Sequence, residues 1–131
     1  MEGISHMLIR PASAFFSLLQ ERQRAERAVR DWCAQLKAEG LGLMFLEEEA
    51  AASFRLTPLV YIPGSGTLFW ENSCASGSAA VGGYLAETAG APVRLELRQP
   101  GGSLRVESAP GGGTWLHGRV RLLKTIEERT A

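Results

Sequence analysis

The chain has 131 residues, 45% of them hydrophobic and 21% charged, a profile suited to one globular domain that buries roughly two-thirds of its unfolded surface. Its 14 basic and 14 acidic side chains cancel, so it lacks the field that would draw it to nucleic acid or an anionic membrane surface. No apolar run approaches the roughly 18 residues of a membrane span, no secretory apolar core precedes a cleavage site, and two cysteines are too few for a disulfide scaffold; a reducing cytoplasm is the expected setting.

Residues 1–6, followed by a second methionine at Met7, look like an expression-vector remnant and are set outside the expected fold, which is a single domain over 7–131. The first expected element is a long helix from Pro11, or from a cap at Ser13, to Gly40. Between these limits Phe15, Leu18, Leu19, Ala25, Val29, Trp32, Cys33 and Leu36 recur at spacings of three and four. Glu21, Arg22, Arg24, Arg27, Arg30 and Lys37 fill the other face, which is the pattern of an amphipathic helix laid on an apolar surface.

Beyond Gly40 come a short apolar run over 41–46 and an acidic, alanine-rich connection over 47–52. Strands are expected over 54–62 and 67–70, joined by the turn sequence Pro63-Gly64-Ser65-Gly66. Residues 74–87 form a small-residue loop entering a short helix, apolar nearly all round, that Gly90 can end. Three further strands are expected over 93–98, 104–107 and 115–123, separated by glycine-rich turns. Helix, three strands, helix and three hairpin-linked strands argue for an α+β fold with a mainly antiparallel sheet wrapped around the second helix.

Chemistry concentrates in Trp70-Glu71-Asn72-Ser73-Cys74-Ala75-Ser76-Gly77-Ser78-Ala79-Ala80. A cysteine here sits where a strand hands over to a helix. The unpartnered N–H groups of a first helical turn and its positive dipole end favour a thiolate and can also hold a carboxylate. Small residues let a ligand approach the backbone closely. A thiolate beside a carboxylate cradle suits removal of a proton from the α-carbon of an amino acid. The alternative is that Cys74 is a small buried residue and its neighbours merely permit tight packing. A phosphate loop is not supported, because no Gly-x-x-x-x-Gly-Lys pattern is present.

The segments Thr57-Pro58-Leu59-Val60-Tyr61-Ile62 and Thr67-Leu68-Phe69-Trp70-Glu71-Asn72-Ser73-Cys74-Ala75-Ser76-Gly77-Ser78-Ala79-Ala80-Val81 resemble the second cysteine motif of the diaminopimelate epimerase-like superfamily, cofactor-independent amino-acid racemases and epimerases. Their spelling is nearest to the histidine racemases of opine-type metallophore biosynthesis. Arg98-Gln99-Pro100-Gly101-Gly102-Ser103-Leu104-Arg105-Val106 and Gly118-Arg119-Val120 resemble that family's closing strands. The resemblance implies the carboxy-terminal half of such an enzyme, a curved sheet around a central helix. It also implies a reaction without pyridoxal phosphate or metal, in which one cysteine from each half faces the substrate α-carbon. Carried over, Cys74 is one acid/base, the backbone of Ala75, Ser76 and Gly77 binds the α-carboxylate, and Glu71 meets the ammonium.

Two departures stand out. The half carrying the other cysteine is absent, and Ala75 occupies the position after the motif cysteine where glycine is usual. Cys33, mid-helix beside Trp32, is a packing residue and no substitute. The readings that follow are a racemase domain inactive without its other half, a half-length homodimer pairing two Cys74 thiols, or a non-catalytic binding domain of the same fold. Among the remaining residues, His6 goes with the remnant, His117 lies on an alternating strand, Glu47–Glu49 is a solvated loop, and Trp70 adjoins the site.

Overall fold

The computed structural model describes residues 4–120. Seven strands form one mixed sheet: β1 (Ile4–Ile9), β2 (Gly40–Ala50), β3 (Ser53–Ile62), β4 (Thr67–Trp70), β5 (Val93–Gln99), β6 (Gly102–Ser108) and β7 (Thr114–Val120). A 3-10 segment, Ala14–Gln20, precedes helix α1 (Arg22–Leu36), and helix α2 spans Ala75–Ala89. The order across the sheet is β1-β2-β3-β5-β6-β7, with β4 paired to the end of β3. No helix among the described residues is long and apolar enough to cross a membrane.

The architecture follows from two crossovers. β1 runs parallel to β2 through α1, and β3 runs parallel to β5 through β4 and α2. Because β2 and β3 are antiparallel, the two units point in opposite directions. Right-handed crossovers then place their helices on opposite faces of the sheet. The core divides accordingly. Ala25, Val29 and Cys33 of α1 pack with Leu41, Leu43, Phe45 and Leu59, whereas Val81 of α2 packs with Met44, Leu46, Leu56, Leu97 and Val106. Covered on both faces, β2 is buried from Gly40 to Leu46 without alternation, which is why its sequence shows a continuous apolar run.

The α+β class, the central helix on a sheet and the strands after Gly40 agree with the sequence reading. Four differences have physical causes. Residues 4–6 belong to the sheet, because Ile4, Ser5 and His6 pair with Gly40, Leu41 and Gly42, so the fold begins before Met7. The single long helix is also corrected. Ser13 caps the 3-10 segment by accepting the Phe15 N–H at 3.0 Å, and Glu21 then leaves helical geometry at φ −129° before α1 begins. Glu47–Glu49 lies in β2 instead of a loop, where Glu49 forms ion pairs with Arg55 and Arg98. Finally, α2 buries one face only, through Gly77, Ser78, Val81, Gly82 and Ala86, while Tyr84 is exposed. Residues 121–123 of the last expected strand lie outside the described residues.

The expected turns form. The Gly66 N–H donates to the Pro63 carbonyl at 3.0 Å to close the β3–β4 hairpin, and Gly66 takes the left-handed φ of 70°. Gly90 ends α2 with φ 67°, donating its N–H to Ala86.

Candidate functional site

Strand β4 ends at Trp70, and the Glu71 N–H continues the ladder by donating to the Pro58 carbonyl at 2.9 Å. The chain then turns through Asn72 and Ser73 into α2. Cys74 is the N-cap of that helix, extended at φ −137° and ψ 104°. Its sulfur accepts the Gly77 N–H at 3.3 Å, doing what a serine or aspartate oxygen does at an ordinary helix start. The thiol is half-buried and unbridged.

Three partly buried contacts hold the Cys74 backbone. Its N–H donates to Gln99 Oε1 at 3.0 Å, and its carbonyl accepts Ser78 Oγ–H at 2.7 Å and Ser78 N–H at 2.9 Å. Gln99 Nε2 donates to Ser78 Oγ at 2.9 Å and closes the circuit. Gln99 and Ser78 are both buried, so each polar group in this circuit is matched away from water. Gly77 is required for a steric reason: a Cβ there would collide with the Met44 thioether and come within 3.0 Å of the Cys74 sulfur.

Ala75 and Ser76 carry the first free N–H groups of α2, with no hydrogen-bond partner among the described residues. The third residue of the expected cradle differs, because the Gly77 N–H is engaged by the sulfur. Glu71 is half-buried, its carboxyl has no hydrogen bond or ion pair among the described residues, and burial pushes that carboxyl above the usual carboxylate range. Its ladder position opposite Pro58 places it on the sheet face that carries α2.

His6 lies on the same face. Its ring fits beside Gly42, where a Cβ would come within 3.2 Å of His6 Cδ2. His6 Nε2 is 3.3 Å from Ser76 Oγ, which in turn is 3.7 Å from Cys74 Sγ. Burial lowers the His6 pKa below the ordinary histidine value, favouring a neutral ring. The structure therefore brings together Cys74, Ser76 and Gly77 from the sequence reading, with Ala75 between them and Glu71 on the same sheet face, and adds His6 and Gln99. Both additions are distant in sequence, at 70 residues from Ser76 and 25 from Cys74, and local pattern carries no signal for either.

Other residues resolve differently. Trp70 points to the α1 face, where its indole N–H donates to Glu26 at 2.8 Å and Arg22 stacks on its ring, so it does not line the Cys74 surface. Cys33 is 1% exposed in the α1 core, and burial pushes its thiol up. His117 is exposed on β7, opposite Arg105, and lines an open depression of about 590 Å³ with Arg94, Glu96 and Ser103. That depression is on the far side of the sheet from α2. Its walls are mostly strand residues, and the buried Gln99–Ser78 polar contacts lie instead at Cys74.

Among curated proteins, the histidine racemase of Staphylococcus aureus (strain Mu50 / ATCC 700699) is 37% identical to this chain over 84 residues. The alignment takes in 63% of this chain but 30% of that racemase, so the chain spans well under half the length of the relative it matches. The family model of the histidine racemase CntK N-terminal domain matches residues 1–121. That range includes the opening residues that form β1. It also corrects the half of the enzyme expected from the cysteine motif, because the matched domain is amino-terminal. From Ile4 to the last described strand, the chain belongs to the histidine racemase CntK N-terminal domain family.

Proposed function

We propose that this chain is one domain of a cofactor-independent amino-acid racemase, with Cys74 as one of two acid/base groups. The observation that carries this reading is the placement of the Cys74 sulfur at the start of α2, half-exposed and accepting the Gly77 N–H at 3.3 Å. A donor aimed at the sulfur, at the start of the helix, holds it in place for removal of an α-proton.

In this reading the free N–H groups of Ala75 and Ser76 hold the substrate α-carboxylate, as a helix start holds an anion. Fixing that carboxylate beside the sulfur aims the α-carbon at the thiolate. It also neutralises charge as the α-carbon becomes a carbanion. Glu71 supplies the counter-charge for the ammonium. Its desolvated carboxylate, costly when alone, is relieved when a cation arrives. The second thiol, which reprotonates the opposite face, comes from a complementary domain. Histidine is the first substrate to test, because the relative is a histidine racemase.

The test is α-deuterium incorporation into a panel of amino acids in heavy water, with the chain alone and mixed with the complementary part of a histidine racemase. The expected result is exchange only in the mixture, greatest for histidine, and lost in Cys74→Ser. Exchange by the isolated chain as a dimer would replace this reading with a paired-Cys74 homodimer. Ligand binding that persists in Cys74→Ser, with no exchange in any mixture, would establish a binding domain instead.

A further inference from the structure

The contacts around Cys74 do not end at α2. We propose that His6 of β1 is a positioning residue which, through the Ser76 hydroxyl, orients the Cys74 thiol and exchanges its proton. The proposal rests on the reading of Cys74 as an acid/base. Three observations place the relay. His6 Nε2 and Ser76 Oγ are 3.3 Å apart, Ser76 Oγ and Cys74 Sγ are 3.7 Å apart, and Gly42 leaves room for the imidazole on the face that carries α2.

The proton movement balances without a further reagent. Cys74 S–H gives its proton to Ser76 Oγ as Ser76 O–H gives its own to His6 Nε2, leaving a thiolate and an imidazolium. The reverse movement restores the thiol after the sulfur has been used. Burial favours the neutral ring, which in its Nδ1–H tautomer accepts at Nε2, the tautomer the relay requires. The Gly77 N–H also donates to the sulfur, at 3.3 Å, so the thiolate formed is held in place.

Among the described residues the titratable groups at this end of the molecule are few, and the N-terminal amine, outside them, adds a charge that also lowers the His6 pKa, after burial. α2 contributes Cys74, and the turn after β4 contributes Glu71, two ladder rows along from His6 on the same face and separated from it by β2 and β3. The β2 positions beside His6 are Gly42 and Met44, neither of which titrates, and α1 lies on the other face. The relay also gives a use to β1, which docks on the edge of β2 and brings His6 across 70 residues of sequence.

The experiment is the rate of Cys74 alkylation by iodoacetamide across about pH 5 to 8, the range of an imidazole. It is followed by peptide mapping in the wild-type chain, His6→Gln, Ser76→Ala and the double variant. No substrate or partner domain is needed, so the outcome is independent of whether the racemase reading holds, which α-deuterium exchange decides. His6→Gln keeps a polar side chain of similar reach but cannot take up the proton, and Ser76→Ala removes the link while leaving β1 intact. We expect each single variant to alkylate on the order of tenfold more slowly near neutral pH. The double variant should be no slower than the slower single, as expected for members of one network. A wild-type rate in either single variant, or losses that multiply in the double, would overturn the relay.

Discussion

Gln99 Oε1 accepts the Cys74 N–H at 3.0 Å, tying the end of β5 to the start of α2. The same side chain donates to Ser78 Oγ, and Gln99 is 6% exposed, so water cannot readily replace it. Gln99→Leu would orphan the Cys74 N–H and one acceptor site on Ser78. The expected cost is about 1–3 kcal/mol in urea unfolding, the cost of an unmatched buried polar group. Cys74 alkylation should change in the same variant, because the helix start loses its anchor.

Gly77 and Gly83 lie six residues apart on α2 and should respond oppositely to alanine. A Cβ at Gly77 would meet fully buried Met44 and the Cys74 sulfur, whereas one at Gly83 meets nothing within 4 Å. Gly77→Ala should destabilise by about 1–3 kcal/mol through overpacking. Gly83→Ala should stabilise by roughly 0.5–1 kcal/mol through helix propensity. Paired thermal melts check both.

Two glutamates impose opposite pH dependences. Glu49 is held below the usual carboxylate range by hydrogen bonds from Arg98 and then Arg55, so its contribution is present above the ordinary carboxylate pKa and lost as pH falls through its lowered value. Glu71 is raised by burial, so its contribution is greatest below the ordinary value and declines as pH rises through the raised one. Glu71→Gln should therefore stabilise the chain at neutral pH and flatten the decline above pH 4.5, the ordinary Glu value. In the proposed reading it also loses the counter-charge for the substrate ammonium. Denaturant midpoints across a pH series measure the stability effect, and α-deuterium exchange measures the loss.

The two cysteines should differ sharply towards an electrophile. Cys33 is 1% exposed and its thiol is pushed up by burial, whereas Cys74 is half-buried at a helix start. Substoichiometric iodoacetamide should mark the Cys74 peptide and leave the Cys33 peptide unmodified until the chain unfolds, as read by mass spectrometry.

The legible parts of the sequence were those with local causes. The run over 41–46, the turn Pro63-Gly64-Ser65-Gly66 and the alternation after Pro92 each encode geometry within a few residues, and each appears in the structure. The cysteine motif at the start of α2 was legible for the same reason. β1 was not, because its identity as a strand depends on β2, more than 30 residues away, and its opening residues mimic an expression remnant. The break between the 3-10 segment and α1 was hidden because Ser13 and Pro11 both suit the start of one continuous helix. His6 and Gln99 were invisible as site residues: nothing within their own strands marks them, and only the crossovers bring them to Cys74.

In the proposed reading the Cys74 thiol moves the α-proton of an amino acid. The most direct measurement is the rate of histidine racemisation by this chain combined with its complementary domain, comparing wild type with Cys74→Ser at equal folded concentration. Cys74→Ser keeps a capping oxygen for the Gly77 N–H but replaces the thiol by a far weaker acid. We predict a fall on the order of 10²–10⁴-fold, the contribution of a positioned acid/base group. A variant that racemises within about twofold of wild type, well short of that contribution, would contradict the account.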